Sequence, residues 1–187
     1  MGMLSYAATI SLDGYVANSN ADLQWAAPND EVFAYHLQRM SHVTTEILGR
    51  RAYGLMQHWS TVSEGSGHSA AEVEFAQRWG AIEKVVVSST LSKDHCTVSR
   101  TRLIRELTLN DIRQIVAENA GMTQIFGPTT AAEALRAGVV DRLELFIVPV
   151  VIGKGRRALP DGAYRKLKLS QQCVFGDGTV FLQYERR

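Results

Sequence analysis

The chain has 187 residues, 45% hydrophobic and 21% charged, a composition ordinary for one water-soluble domain, here 1–187, with a core of its own. Lys and Arg exceed Asp and Glu by a single charge, so no bulk field favours nucleic acid or an anionic membrane surface as partner. No apolar run reaches membrane-spanning length, and Leu143–Ile152 is interrupted by Glu144 and Pro149. The two cysteines, Cys96 and Cys173, lack ligand-type spacing and, with no signal peptide evident, read as reduced thiols of a cytoplasmic protein.

Leu4–Ser11 reads as a first strand, ended by the turn signal Asp13-Gly14. Tyr15–Ala17 resumes extended structure, and the polar loop Asn18–Asp22 is closed by Leu23–Trp25. A helix starts at Asn29 or Asp30 and runs to Met40, with Val32, Phe33, His36, Leu37 and Met40 on one face. Asp30 and Glu31 fall in its first turn, where spacing alone explains them as partners of the helix dipole. Val43–Leu48 is a strand, followed through Gly49-Arg50-Arg51 by a helix from Ala52 to Trp59. Arginines at a helix start oppose its dipole. Their planar forks suit phosphate, and two solvated arginines are the equal alternative.

Thr61–His68 is a Ser/Gly-rich loop, Ala70–Trp79 a helix and Lys84–Ser88 a strand. Ser88, Ser89 and Thr90 place hydroxyls at that strand's carboxyl end, where open α/β sheets hold ligands; they either bond a ribose or phosphate or cap the turn. Thr97–Arg100 reads as a short strand, and Asn110 as the cap of a helix through Ala117. Ile125 and Phe126 then end an apolar run, Gly127-Pro128 breaks it, and Thr129 or Thr130 caps a helix, with Glu133 completing a capping box. Ala131, Ala134 and Leu135 recur at helical spacing until Gly138. Bare N–H groups at such a helix start suit a pyrophosphate, although plain turn chemistry gives the same pattern. Leu143–Ile152 is a Val- and Ile-rich buried strand. Tyr164–Val174 and Val180–Arg186 alternate around Gly176-Asp177-Gly178 as a terminal antiparallel hairpin. The fold class is α/β, with a sheet parallel in its middle and antiparallel at one edge.

The five histidines form no HExxH and no Cys/His zinc spacing, so no metal is expected. There is no GxSxG elbow, no GxGxxG after a strand and no Walker A motif. Gly153-Lys154-Gly155-Arg156 follows a strand but lacks the spacing and the helix of a phosphate loop.

Five blocks taken in order resemble the dihydrofolate reductase superfamily: Ser11–Ala17 (SLDGYVA), Asp22–Trp25 (DLQW), Leu48–Tyr53 (LGRRAY) with His58-Trp59, Lys84–Leu91 (KVVVSSTL) and Gly138–Arg156. They are most similar to its bacterial branch, which shares a fold with the reductase domain of the riboflavin-biosynthesis deaminase/reductase. The resemblance implies a three-layer fold with a mixed, mostly parallel sheet, flanking helices and a carboxyl-terminal hairpin. It implies an oxidoreductase that takes NADPH and a small-molecule substrate. Gly49, Arg50, Arg51 and Ala52 then match the segment at the cofactor phosphates, and Ser88, Ser89 and Thr90 the segment beside the adenosine ribose. Gly127, Pro128, Thr129 and Thr130 match the turn under the pyrophosphate, and Ala17 opens the loop that closes over the nicotinamide. Trp25 matches that loop's tryptophan, and Asp30, partly buried beneath the loop, the active-site carboxylate; Glu31 takes the role if the register shifts by one. A homodimer follows from the relatives and from Pro149, which marks an apolar edge or bulge.

The chain departs from the family pattern in three places. Proline replaces the second glycine of a Gly-Gly pair at Pro128, and Ala52 replaces a threonine. No arginine lies between Trp59 and Arg78 to grip a folate glutamate tail, which argues against dihydrofolate itself. The resemblance leaves open a pterin-like, pyrimidine-like or other conjugated acceptor, the 5-amino-6-(5-phosphoribosylamino)uracil of riboflavin biosynthesis, and cofactor binding without turnover.

Overall fold

The structure is a computed structural model describing residues 2–187. Its strands are β1 (Met3–Ser11), β2 (Tyr15–Asn18), β3 (Val43–Gly49), β4 (Glu83–Val87), β5 (Thr101–Ile104), β6 (Met122–Phe126), β7 (Arg142–Val148), β8 (Gly155–Arg157), β9 (Leu167–Val174) and β10 (Val180–Arg186). The helices are α1 (Asp30–Met40), α2 (Arg50–Met56), α3 (Ala70–Ala81), α4 (Leu109–Glu118) and α5 (Pro128–Ala137). Eight strands form one sheet in the order β5-β4-β3-β6-β1-β7-β10-β9, and β2 pairs with β8 separately. Strands β5 to β7 of that order run parallel, while β10 is antiparallel to both β7 and β9.

Both faces of the sheet are covered, which is why its central strands read as continuous apolar runs. Alternate residues of β1 (Leu4, Tyr6, Ala8, Ile10) pack with Ile112 and Ile115 of α4 and with Ala131, Ala134 and Leu135 of α5. The opposite face meets α1 and α3: Val32 packs on Phe146 and Phe181, and Trp79 sits among Met40, Leu48 and Val86. These three layers are the dihydrofolate-reductase-like architecture. Among the described residues no helix is long and apolar enough to cross a membrane.

Several elements differ from their sequence reading, each for a physical reason. Thr97–Arg100 is not a strand; Arg100 has φ 55°, and β5 begins one residue later, paired with β4. Helix α4 is capped by Thr108 rather than Asn110, in a reciprocal box with Asp111. Helix α5 is capped by Gly127 at φ 111° and takes Pro128 in its first turn, where proline's fixed φ is pre-organised, so no threonine caps it. The strand expected to reach Ile152 stops at Val148, and β7 lies inside the sheet between β1 and β10. Pro149 therefore marks a strand end, and the sheet's edges are β5 and β9. The first strand of the hairpin begins at Leu167 instead of Tyr164. The pairing of Gly155–Arg157 with β2 has no counterpart in the sequence reading.

Candidate active site

Three adjacent parallel strands deliver the glycines and hydroxyls to one edge. Register pairs Leu48 with Phe126 and Gly49 with Val87, so Gly127, Gly49 and Ser88 leave β6, β3 and β4 side by side. The helix starts that follow are packed together. A Cβ on Gly49 would stand 2.6 Å from Thr130 Oγ1, and one on Gly127 would stand 3.7 Å from the Ala52 Cβ. Glycine at 49 is thus required by close approach, and glycine at 127 by its positive φ. Ala52 is buried in this contact, whereas Arg50, Arg51 and Thr129 are exposed at the rim.

The alternatives for Ser88–Thr90 divide between the residues. Ser88 Oγ accepts from the Thr90 and Leu91 backbone N–H groups at 3.3 and 3.0 Å, which makes Ser88 a turn cap. Ser89 and Thr90 are exposed. One cation was missed in the sequence. Arg156 Nη1 donates to Thr129 Oγ1 at 2.7 Å, which sets a guanidinium at the start of α5. The pairing of Arg156 with Ala17 brings it there, and Gly155 allows that pairing, since a Cβ would stand 2.0 Å from the Ala17 carbonyl oxygen. The same loop is anchored by Asp13, which accepts from the Gly153 and Ile152 N–H groups at 2.7 and 3.2 Å. The available signal was an arginine just past Gly-Lys-Gly at a strand end.

Beside this cradle a cavity of about 250 Å³ opens between the sheet, α1 and α3. Phe126, the residue before Gly127, lines it, as do Ala7–Thr9 of β1 and Met56 of α2. Its aromatic wall is Phe33, Trp59 and Phe75, with ring centroids 4.6–5.7 Å apart. Its polar floor is a hydrogen-bonded chain running across the sheet. Trp79 Nε1 donates to Glu46 Oε2 at 2.8 Å, and Gln124 Nε2 donates to Glu46 Oε1 at 2.9 Å. Arg39 Nη2 donates to Gln124 Oε1 at 3.2 Å and pairs with Glu144. Cross-strand register sets the line, since Glu46 faces Gln124 on neighbouring strands. Burial raises the Glu46 carboxyl above its ordinary range, against the opposing hydrogen bonds from Trp79 and Gln124.

His36 also lines the cavity, its ring tilted by 31° against Phe146 at 4.0 Å between centroids. Burial first, and Arg39 second, push its pKa down from 6.5 to about 3. Between those values the unfolded chain holds a proton that the folded one lacks, so this residue's contribution to stability falls as pH drops from 6.5 towards 3. Glu46, with its pKa raised, acts with the opposite sign. We expect His36→Gln to lose less melting temperature than the wild type between pH 7 and pH 4.5. Parallel melting curves for the two proteins would contradict this.

The residues matched to catalysis lie apart from the cavity lining. Asp30 occupies the first position of α1, one turn before Phe33, and is exposed rather than partly buried. Helical side chains lean toward the amino terminus, which carries Asp30 out to solvent. Glu31 is exposed and accepts from the Gly176 N–H at 2.9 Å, tying α1 to the hairpin turn. Trp25 is half-buried in a 3-10 turn and donates from Nε1 to the Asp22 carbonyl at 3.2 Å, bracing its own loop.

Residues 3–181 match the family described as the RibD C-terminal domain. No curated protein matches the chain. Among solved structures, a protein of Shewanella sp. PV-4 ascribed to riboflavin biosynthesis is 18% identical, with 100% of this chain and 99% of that one covered and a TM-score of 0.75. Dihydrofolate reductase from Enterococcus faecalis, complexed with NADP(H), is 15% identical, with 100% and 97% covered and a TM-score of 0.65. The deaminase/5-amino-6-(5-phosphoribosylamino)uracil reductase of Thermotoga maritima is 12% identical, with a TM-score of 0.67; all 100% of this chain covers 57% of that one. Likeness at these identities is likeness of fold.

Proposed function

The chain belongs to the RibD C-terminal domain family, and from that premise we propose that it is an NADPH-dependent reductase of a small conjugated ring, pterin-like or pyrimidine-like. The observation that carries this reading is the pair of apposed helix starts, rimmed by exposed arginines and opening beside an aromatic-walled cavity. The cofactor fits the residues present. Gly49 and Gly127 leave room that a Cβ would fill, Thr129 and Thr130 offer donors at the start of α5, and Arg156 adds a cation there. Arg50 and Arg51 suit the 2′-phosphate, and the hydroxyls of Ser89 and Thr90 suit the adenosine ribose. When bound, the cofactor supplies the hydride; the protein supplies orientation, exclusion of water and placement of the proton.

The cavity favours an acceptor without a phosphate. Its one arginine, Arg39, is already paired with Glu144, and about 250 Å³ is at the small end for a ligand site. That weighs against the ribosyl phosphate of the riboflavin pathway. The folate tail has no grip either, because Arg78 donates to the Leu37 carbonyl and to Glu74. A homodimer stays within the proposal, with β9 as the sheet edge it would use, where Leu169 and Val174 are exposed.

Arg50→Ala combined with Arg51→Ala tests the cofactor assignment by calorimetry. A charge-assisted contact is worth about 1.5–3 kcal/mol, so NADPH affinity should fall about tenfold or more while NADH affinity stays nearly unchanged. Equal losses for both cofactors would remove the 2′-phosphate from this site.

A further inference from the structure

Among the described residues Glu46 is the one carboxyl lining this cavity, and neither Asp30 nor Glu31 is part of the lining. We propose that Glu46 is the catalytic acid of this pocket, donating its proton to a ring nitrogen of a flat, uncharged heteroaromatic substrate stacked against Phe33, Trp59 and Phe75. The proposal rests on the reductase reading above and replaces Asp30 as the group that meets the substrate.

The geometry leaves the Glu46 proton one destination. Both carboxyl oxygens accept, one from Trp79 Nε1 and the other from Gln124 Nε2. The Gln124 carbonyl oxygen is taken by Arg39, which fixes the amide so that its N–H side faces Glu46. A proton on Glu46 therefore finds no acceptor among these partners, and a ring nitrogen in the cavity completes the set. The charged groups around Glu46 are Arg39 on α1 and Lys84 on β4. Lys84 Nζ is directed at the Gly80, Ile82 and Ser99 carbonyls at 3.3, 2.8 and 3.3 Å, and Arg39 at Glu144. Burial outweighs the Trp79 and Gln124 hydrogen bonds and both cations, and raises the Glu46 carboxyl above its ordinary range. The charge of Arg39, the cation lining the cavity, is offset by Glu144, so the ring it fits is uncharged.

In the reaction the substrate's C=N carbon accepts the hydride of the reduced nicotinamide. The C=N π electrons move to nitrogen, which takes the proton as the Glu46 O–H bond breaks. One C–H and one N–H bond form, the oxidised nicotinamide and the Glu46 carboxylate remain, and water reprotonates Glu46 after product leaves. The substrate is reduced by two electrons and the reduced nicotinamide is oxidised by two.

The Trp79 indole N–H reports on Glu46 directly, so its NMR resonance can be followed in the cofactor-free protein. In the wild type it should titrate with a midpoint above the ordinary 4.5 of a glutamate. The probe is 2-aminopyrimidine, whose ring nitrogen accepts from a carboxylic acid while its amino group donates back. It should shift the Trp79 resonance saturably, and its affinity should fall as pH rises through that midpoint. Glu46→Gln should abolish the titration and weaken the probe about tenfold or more, the loss of one charge-capable hydrogen bond. It should also slow turnover of any accepted ring roughly 10²-fold. NADPH binding retained by this variant reports an intact fold. No response of the wild-type Trp79 resonance to millimolar 2-aminopyrimidine would overturn the assignment, with or without a folded variant. So would a response lost in Asp30→Asn and kept in Glu46→Gln. Failure of the wild type to bind NADPH would count instead against the reductase reading.

Discussion

Glu144→Ala is expected to lower the free energy of unfolding by about 3–5 kcal/mol, the cost of breaking a buried ion pair by removing one partner. Glu144 lies mid-strand in β7 with its side chain 3% exposed, and its partner Arg39, on α1, is 12% exposed. Removing the carboxylate strands the guanidinium between Phe146 and Phe181, whose rings lie 5.5 and 6.0 Å from it. The loss spreads because Arg39 also holds Gln124, and Gln124 holds Glu46. For a chain of this size about 2–4 °C of melting temperature goes with each kcal/mol, so a drop of roughly 6–20 °C should be seen by calorimetry. The double variant Arg39→Met, Glu144→Leu removes both charges at similar volume and should recover most of that loss. A drop of under about 1 kcal/mol in Glu144→Ala would mean that the pair behaves as a solvated surface bridge.

That pair shows where the sequence stops being legible. The core strands are visible in it because both sheet faces are covered: Lys84–Ser88 and Leu143–Ile152 read as apolar strands, the second ending at Val148 in the structure, and Gly138 ends α5 in the left-handed conformation that glycine favours. The glycines at 49 and 127 are visible as strand-to-helix turns, and Arg50 and Arg51 as charges that oppose a dipole. Glu46 was not legible. A glutamate in VTTEILG looks like a solvent-facing position, and only Trp79 and Gln124, distant in sequence by 33 and 78 residues, turn it into a buried acid. Asp30 shows the same limit from the other side: its spacing from Trp25 does not reveal that the first turn of α1 is exposed and outside the cavity lining. Pro149 likewise reads as an edge signal, and only the strand order shows β7 to be interior. Local chemistry was readable; partners across the sheet were not.

Arg156→Ala is expected to weaken NADPH and NADH alike, by about 10- to 100-fold, which separates its role from that of Arg50 and Arg51. Both cofactors carry the pyrophosphate, which the proposed assignment places at the start of α5. Pro128 has no N–H, so the first turn offers fewer donors than the glycine it replaces would give. Arg156 stands at that place, spending one Nη1 hydrogen bond on Thr129 Oγ1 at 2.7 Å and keeping the remainder of its fork for an anion. A charge-assisted contact of about 1.5–3 kcal/mol gives the stated range. The substitution spares the backbone pairing of β8 with β2, so the loss belongs to the guanidinium and not to the strand. Arg156→Lys keeps the charge without the planar fork and should recover part of the affinity. Rising salt should weaken the wild type more than Arg156→Ala, because the variant has one cation fewer to screen. Calorimetry with both cofactors decides it: a loss confined to NADPH would move Arg156 to the 2′-phosphate, and a change under about twofold would leave Thr129 and Thr130 to hold the pyrophosphate alone.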